Sequence, residues 1–532
     1  MAMSQVGDVK TKVFVREATG LVRSVRSGDS FFATFALVTG GVPIFLISLL
    51  FLSPNANYTL ALLIMFVPSI ALAAAYTLFG ISMPRSGGDY VFVSRGLNSF
   101  LGFVNSFGLF FAYVFSVGVY AMFGMQYIGY TFTTYGFLQH ADNLTSIGSW
   151  ILSTNASVIL GVVTILFFLL LLTFGSTRLT FRLIFWTGVL EVIAVVLFFA
   201  INATISQSSF VQHFNDMAGS PDAYQKVISD ATANGLGAKS SMAGTVLALP
   251  IAWYAFTWYT LPANWAGELR NVRRSLPISI VGALAFILIF YIVFYGVTFH
   301  AFGQTFVTAW SYNYNQGTSM PFDYIGTYTP FFVSLVYANP IIPILALLVF
   351  WLPDIMFFAP TLIAGTRYLF SWSFDRTAPE IFSKVSERTK VPVVATVTVG
   401  VVAVVGLLAY AYIPSIAIVD VIPIFDFGFI IPAMTAIVLP FWKKNLYESS
   451  FVVKRKVIGL PVLSWLGIIA LVGIIYGIIG LWNSYLMPIN FETGVAISAV
   501  YVLGAAIYIS MFVANRRKGI DIRHAFAEIP PE

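Results

Sequence analysis

Thr39-Gly40-Gly41-Val42-Pro43 lies in the middle of the first long apolar run of this 532-residue chain. Adjacent glycines weaken a helix there, and the proline removes an amide and clashes with the preceding turn. A second interrupted run carries Pro250 and Pro262 around the aromatic stretch Trp253-Tyr254-Ala255-Phe256-Thr257-Trp258-Tyr259. Backbone groups freed inside a bilayer must be satisfied by packed protein or by whatever occupies a cavity. Half-helix amino ends offer free amides and partial positive charge to a carboxylate, whereas unwound carbonyls and carboxyl ends suit an ammonium or a metal cation. The same residues also suit close packing of membrane helices, but their occurrence as a pair points to a binding site at mid-membrane depth.

Ionisable residues inside apolar runs are costly and are functional candidates by default. Four stand out: Glu191, Asp354, Asp420 and Asp426. A buried carboxyl can take a proton from one side and release it to the other, and Glu191 and Asp354 are the candidates for carrying a coupling proton. Asp354, framed by Pro353 and Pro360, also suits a cation site near Thr361. No metal-ligand spacing occurs, since His140, His213, His300 and His524 are scattered and cysteine is absent. No cofactor and no structural metal are expected.

These residues sit on a frame of long apolar runs. The hydrophobic share is 58% and only 9% of residues are charged, which excludes an ordinary soluble domain. Twelve spans are expected, near 30–52, 58–81, 99–131, 156–174, 180–203, 244–264, 277–303, 339–372, 392–412, 416–442, 460–482 and 493–514. All 28 lysines and arginines except Lys226 and Lys239 fall in alternate gaps, among them Lys10, Lys12, Arg16, Arg23 and Arg26 before the first span. By the positive-inside rule both termini are cytoplasmic in a multi-pass protein of the cell membrane. The basic gaps flank spans, so the net charge of +6 implies membrane lipid and no nucleic acid as partner. The basic opening stretch lacks the order of a cleavable signal, so the first span is expected to stay in the mature protein.

Two longer polar connections, 205–243 and 304–338, are expected to form either an outer cap or disordered links. Sequons at Asn57, Asn143, Asn155 and Asn202 fall in gaps assigned to the outside. The fragment Gly235-Leu-Gly-Ala-Lys-Ser has the wrong spacing for a phosphate loop, and direct ATP coupling is not expected.

Three segments in the basic gaps are more specific: Met83-Pro-Arg-Ser-Gly-Gly-Asp-Tyr90, Glu268-Leu-Arg-Asn-Val-Arg-Arg-Ser-Leu-Pro277, and Arg367-Tyr-Leu-Phe-Ser-Trp-Ser-Phe-Asp375-Arg-Thr-Ala-Pro379 followed by Pro392. In order and placement they resemble the amino acid–polyamine–organocation family of transporters. The resemblance covers about residues 20–440, and the last two spans fit by hydropathy alone. It implies an all-α polytopic fold with a five-plus-five inverted repeat and discontinuous helices 1 and 6. The implied divisions are a cytoplasmic segment 1–29, a first repeat 30–203, an extracellular loop 204–243, a second repeat 244–442, two further helices in 460–514 and a cytoplasmic tail 515–532.

The resemblance also assigns roles. Thr39, Gly40, Gly41 and Val42 match the break that holds substrate, with Phe256, Thr257 and Trp258 opposite. Glu191, thirteen residues after Arg178, matches the place where proton-coupled members carry a buried lysine. Asp29 stands eleven residues before Gly40, as the family's acidic residue does before its Gly-x-Gly break, but Gly41 replaces the spacer and Val42 the second glycine. Ten residues before Glu268 the family has an unwound glycine, and here stands Trp258. An indole there can narrow the pocket, stack on an organic cation or cap an apolar side chain.

Arg85, Arg95, Glu268, Arg270, Arg367 and Asp375 are expected at the inner mouth as a gate of opposite charges, and Ser86-Gly87-Gly88 as a tight turn in a re-entrant inner loop. A sodium site would need oxygen ligands near Val38 and Thr361. The function implied is secondary active transport of amino acids or related amines by alternating access, with a proton as coupling ion. The alternatives are sodium symport, exchange, or a non-transporting sensor on the same scaffold. An enzyme is not expected, and the oligomeric state is open.

Overall fold

The computed structural model describes residues 20–318, 320–322, 325–417, 421–450, 454–482 and 491–526. Lys10, Lys12, Arg16 and Asp420 lie outside the described residues, as do parts of both terminal segments.

Among the described residues the structure is helical apart from a two-stranded antiparallel hairpin pairing Lys456–Val457 with Leu460–Pro461 and a parallel bridge between Val25 and Leu269. Among the described residues, eleven helices are long and apolar enough to cross a membrane. They face lipid with side chains such as Val163, Phe167, Trp186, Val196, Ile289 and Val405, all exposed and apolar, as a hydrocarbon solvent requires. The first of these helices is the most enclosed, with 83% of its apolar window buried, whereas the last, Phe491–Arg517, has 22%. The broken first helix is therefore the axis of the bundle.

It consists of two pieces, Ser27–Thr39 and Val42–Ser48, separated at Gly40, whose ψ of −122° leaves the helical region. Pro43 falls in the first turn of the second piece, where its missing amide has no intrahelical partner to lose. The run expected at 244–264 departs from a full span. It gives a 14-residue helix, Ser241–Tyr254, then an irregular stretch, then a 3-10 turn Leu261–Glu268 with Pro262 in its opening turn. At about 21 Å a 14-residue helix is too short to cross a 30 Å core alone.

The long helix Ser99–Leu138, 40 residues, crosses the middle of the molecule and packs on Val393–Tyr412, Thr154–Phe174, Ile422–Trp442 and the Phe358–Phe374 helix. In Ile341–Phe374 a π-helical turn, Leu347–Trp351, precedes Pro353, which cannot supply a helical amide. The polar connections are ordered helices, Gln207–Ala218, Ala223–Ala233, Gln304–Gln316 and Pro330–Val336, joined by a cluster of Phe210, Phe214, Phe306, Trp310 and Phe332. That aromatic core gives these segments an ordered, packed layer in place of disordered links, here called the cap. The cap is fastened to the second piece of the broken helix, because Ser311 Oγ and Asn315 Nδ2 both donate to the Ser48 carbonyl, at 2.7 and 2.9 Å.

Candidate functional site

Three side chains from three helices converge on the Gly40–Gly41 break. Asp354 Oδ1 accepts the Gly41 amide at 3.2 Å, and Tyr127 OH donates to the Gly41 carbonyl at 2.9 Å. Tyr291 OH donates to the Val38 carbonyl at 2.8 Å. The backbone groups freed by the break are thus met by Ser99–Leu138, Ala283–Phe302 and the Asp354 turn. Glycine is required here by space, since a Cβ on Gly40 would stand 2.8 Å from the Asp354 nitrogen, and one on Gly41 2.2 Å from Tyr127 Cε2. Val42 begins the second piece and is buried.

Thr39 closes the first piece. Its Oγ1 lies 2.8 Å from the Phe35 carbonyl and 2.5 Å from Glu191 Oε1. Glu191 comes from Thr177–Ala203, is 1% exposed, and is brought to the break by packing of Ser27–Thr39 along its helix.

At the second interruption Phe256 packs on Phe66 at 5.9 Å, and Thr257 Oγ1 donates to the Tyr254 carbonyl at 2.9 Å. Trp258 is fully buried at φ +72°, a left-handed conformation disfavoured for a bulky residue. The indole at the position where the resemblance leads to the expectation of a glycine has adopted a glycine-like backbone. Its ring is enclosed by Phe425 at 4.3 Å, Phe357 at 5.0 Å, Tyr113 at 5.7 Å and Tyr120 at 6.0 Å. Trp258 Nε1 and Asp354 Oδ2 are both buried with no hydrogen-bond partner among the described residues.

The oxygens expected as sodium ligands each make one hydrogen bond within the protein. The Val38 carbonyl receives Tyr291, and Thr361 Oγ1 donates to the Phe357 carbonyl at 2.7 Å. Asp426 Oδ1 accepts the Trp253 indole N–H at 2.8 Å.

The inner charges resolve into two buried pairs. Arg367 Nε and Nη2 donate to Glu268 Oε1 and Oε2 at 2.6 and 2.8 Å, and Arg95 Nη1 and Nη2 donate to Asp375 Oδ2 and Oδ1 at 2.7 and 2.9 Å. Both are two-pronged, the geometry that best repays desolvation. Arg270 is exposed and joins neither pair, while its backbone amide donates to the Val25 carbonyl. Arg85 Nη1 donates to the Pro84 carbonyl at 3.0 Å. The Ser86-Gly87-Gly88 turn has φ of +106° and +48° at its glycines and opens the helix Gly88–Gly96.

Sequence reasoning assigned nothing to Asp89. Its Oδ1 accepts Tyr368 OH at 2.5 Å and its Oδ2 accepts Asn105 Nδ2 at 3.2 Å. Burial pushes this carboxyl up to about 7, against the opposing effect of those donors. Its place in the Met83–Tyr90 motif was the available signal; its partners lie far off in sequence. Tyr127 and Tyr291 were also missed, as two tyrosines among 26.

A model of the amino acid permease family matches residues 30–512, nearly the whole bundle. The lysine-specific permease LysP of Lactococcus lactis subsp. cremoris (strain MG1363) is 26% identical over 272 residues, 51% of this chain and 48% of that protein. The match thus spans about half the length of that curated relative. Both matches are to transport proteins and neither is to an enzyme. A broken central helix, a second interrupted helix facing it and a family match running from one end of the bundle to the other agree, and the chain belongs to the amino acid permease family.

Proposed function

We propose that this chain is a secondary active transporter of an amino acid or related amine, working by alternating access across the cell membrane and driven by proton entry through Glu191. The observation that carries the reading is the 2.5 Å contact of Thr39 Oγ1 with Glu191 Oε1 at the helix break. A threonine hydroxyl has one proton and here has two oxygens in reach. When Glu191 is protonated, its O–H donates to Thr39 Oγ1 and Thr39 donates to Phe35, so both contacts are made. When the proton leaves, one contact must yield, and the end of the first half-helix is disturbed next to the substrate. Proton occupancy and the shape of the break are coupled in this way.

The two inner pairs supply the gate. With Glu268–Arg367 and Arg95–Asp375 closed the inner mouth is held, and separating them opens it. The finer architecture follows: Ser241–Tyr254 and the irregular stretch after it form one discontinuous span, giving twelve in all, arranged as two five-span repeats of opposite orientation plus two helices, with both termini cytoplasmic. Sodium symport is the alternative coupling, with the Val38 carbonyl and the Thr361 hydroxyl as its oxygen ligands, each keeping lone pairs beyond the hydrogen bond it makes.

The test is uptake of radiolabelled amino acids and amines into liposomes holding the purified protein, under a proton gradient, a sodium gradient, or neither. Saturable uptake that needs the proton gradient and is lost in Glu191→Gln supports the proposal. Uptake driven by sodium alone contradicts the coupling.

A further inference from the structure

The family resemblance leads to the expectation that the amides of the first break receive a substrate carboxylate. The Gly41 amide instead already receives one from the protein, Asp354 Oδ1 at 3.2 Å. Asp354 lies against both glycines of the break, since a Cβ on Gly40 would meet its backbone nitrogen at 2.8 Å and its Oδ1 at 3.0 Å. Its second oxygen, Oδ2, is buried without a partner, on a residue that is 1% exposed. A buried carboxyl with one oxygen fixed and the other bare is half satisfied; it is held as an anion only when a cation meets it, and otherwise it keeps a proton.

The surroundings of Oδ2 say what kind. On the long helix Ser99–Leu138, Tyr120, Gly124 and Tyr127 lie on one face by their spacing. Opposite them Asp354 and Phe357 stand one turn apart. The two faces match position by position: Tyr120 stacks on Phe357 at 4.4 Å, a Cβ on Gly124 would stand 3.1 Å from Asp354 Oδ2, and Tyr127 OH reaches the Gly41 carbonyl. The carboxylate therefore sits one turn from an aromatic wall of Tyr120, Phe357 and Trp258. A carboxylate beside aromatic faces recognises an organic ammonium, by charge at one end and by cation–π and apolar contact along the other.

We propose that Asp354 stands in for the substrate's carboxylate at this break, so that the preferred substrates are organic amines lacking an α-carboxylate, with the ammonium on Asp354 Oδ2 and the body against Tyr120, Trp258 and Phe357. This rests on the transport reading above and narrows its substrate class. An α-carboxylate on the substrate would have to displace Asp354 Oδ1 from the Gly41 amide, and wherever Asp354 is ionised the two like charges in a low dielectric repel strongly.

The experiment compares amines with their parent amino acids: cadaverine with lysine, agmatine with arginine, tyramine with tyrosine. In proteoliposomes of the wild-type protein each amine inhibits uptake of a labelled amine at a concentration at least tenfold lower than its parent does. Equal inhibition, or inhibition by the parents alone, overturns the proposal without any variant being made. Asp354→Asn lowers the amine-to-parent preference at least tenfold, and Asp354→Glu recovers part of it because the charge returns; an unchanged preference in Asp354→Asn is equally contrary. Thermal stabilisation of the purified protein by the same six compounds reads the preference without transport. If no compound moves under any gradient, the transport reading fails, while the stabilisation series still decides the amine proposal.

Discussion

Thr39 Oγ1 and Glu191 Oε1, 152 residues apart in sequence, meet at 2.5 Å where the first helix stops. The contact joins the one acidic residue of the Thr177–Ala203 helix to the end of the half-helix that borders the Gly40–Gly41 break. Removing the hydroxyl with Thr39→Val takes away a hydrogen bond worth about 1 kcal/mol, roughly a fivefold effect. Proton-driven uptake is expected to fall by that order while substrate exchange at equal pH on both sides is kept. Equal loss of both activities would place Thr39 in binding and not in coupling.

The inner pairs carry a stability prediction. Removing one partner of a buried ion pair leaves the other uncompensated and costs about 3–5 kcal/mol. Glu268→Gln and Asp375→Asn are each expected to lower the unfolding temperature and to favour the inward-open state. The chain has no cysteine, so a single cysteine at Ala266, buried beside Glu268, reports opening without background. Faster labelling in Glu268→Gln than in the parent single-cysteine protein is expected; unchanged labelling would remove these charges from the gate.

Trp258 sets two effects against each other. Glycine in its place relieves a left-handed backbone, at about 1 kcal/mol, but leaves a cavity, and truncation of a buried large aromatic costs about 3–5 kcal/mol. The cavity dominates, so Trp258→Gly is expected to be destabilised by roughly 2–4 kcal/mol in thermal denaturation. It should also accept bulkier substrates, read as a lower half-inhibitory concentration for long-chain analogues. An unchanged size range would show that Trp258 only packs between helices.

Asp89 gives a dependence of stability on pH. Burial holds its carboxyl near 7 in the folded protein, against 3.8 ordinarily, so the folded state keeps this proton where the unfolded state has lost it. Its contribution is most favourable below about pH 4 and falls as pH rises towards 7, opposite in sign to an acid held by a salt bridge. Asp89→Asn should remove that fall. Unfolding temperatures of the two proteins measured across pH 4–8 should converge at low pH and separate at high pH, the variant being the more stable; parallel curves would contradict the shift.

The helix break was legible because two glycines and a proline in an apolar run have few other uses, and the inner turn because Ser86-Gly87-Gly88 demands left-handed backbone. The conflict at Trp258 was also legible, as an indole ten residues before Glu268. What stayed hidden depends on packing between distant helices. Nothing local says that Arg95 chooses Asp375 while Arg367 chooses Glu268, that Arg270 remains at the surface, or that Asp354 caps Gly41 from 313 residues away. The ordered cap was hidden for a related reason. Gln207–Ala218 and Ala223–Ala233 are amphipathic with little net hydrophobicity, and the cap is held by a phenylalanine cluster drawn from segments about 100 residues apart.

The central claim is that a proton on Glu191 drives transport. The most direct measurement is uptake of a labelled amine into proteoliposomes as the inward proton gradient is varied, in the wild type and in Glu191→Gln. Saturable uptake that rises with the gradient in the wild type and no longer responds to it in the variant is the predicted result. A variant whose uptake still follows the gradient would contradict the account, as would a wild type that moves no amine or amino acid under any gradient.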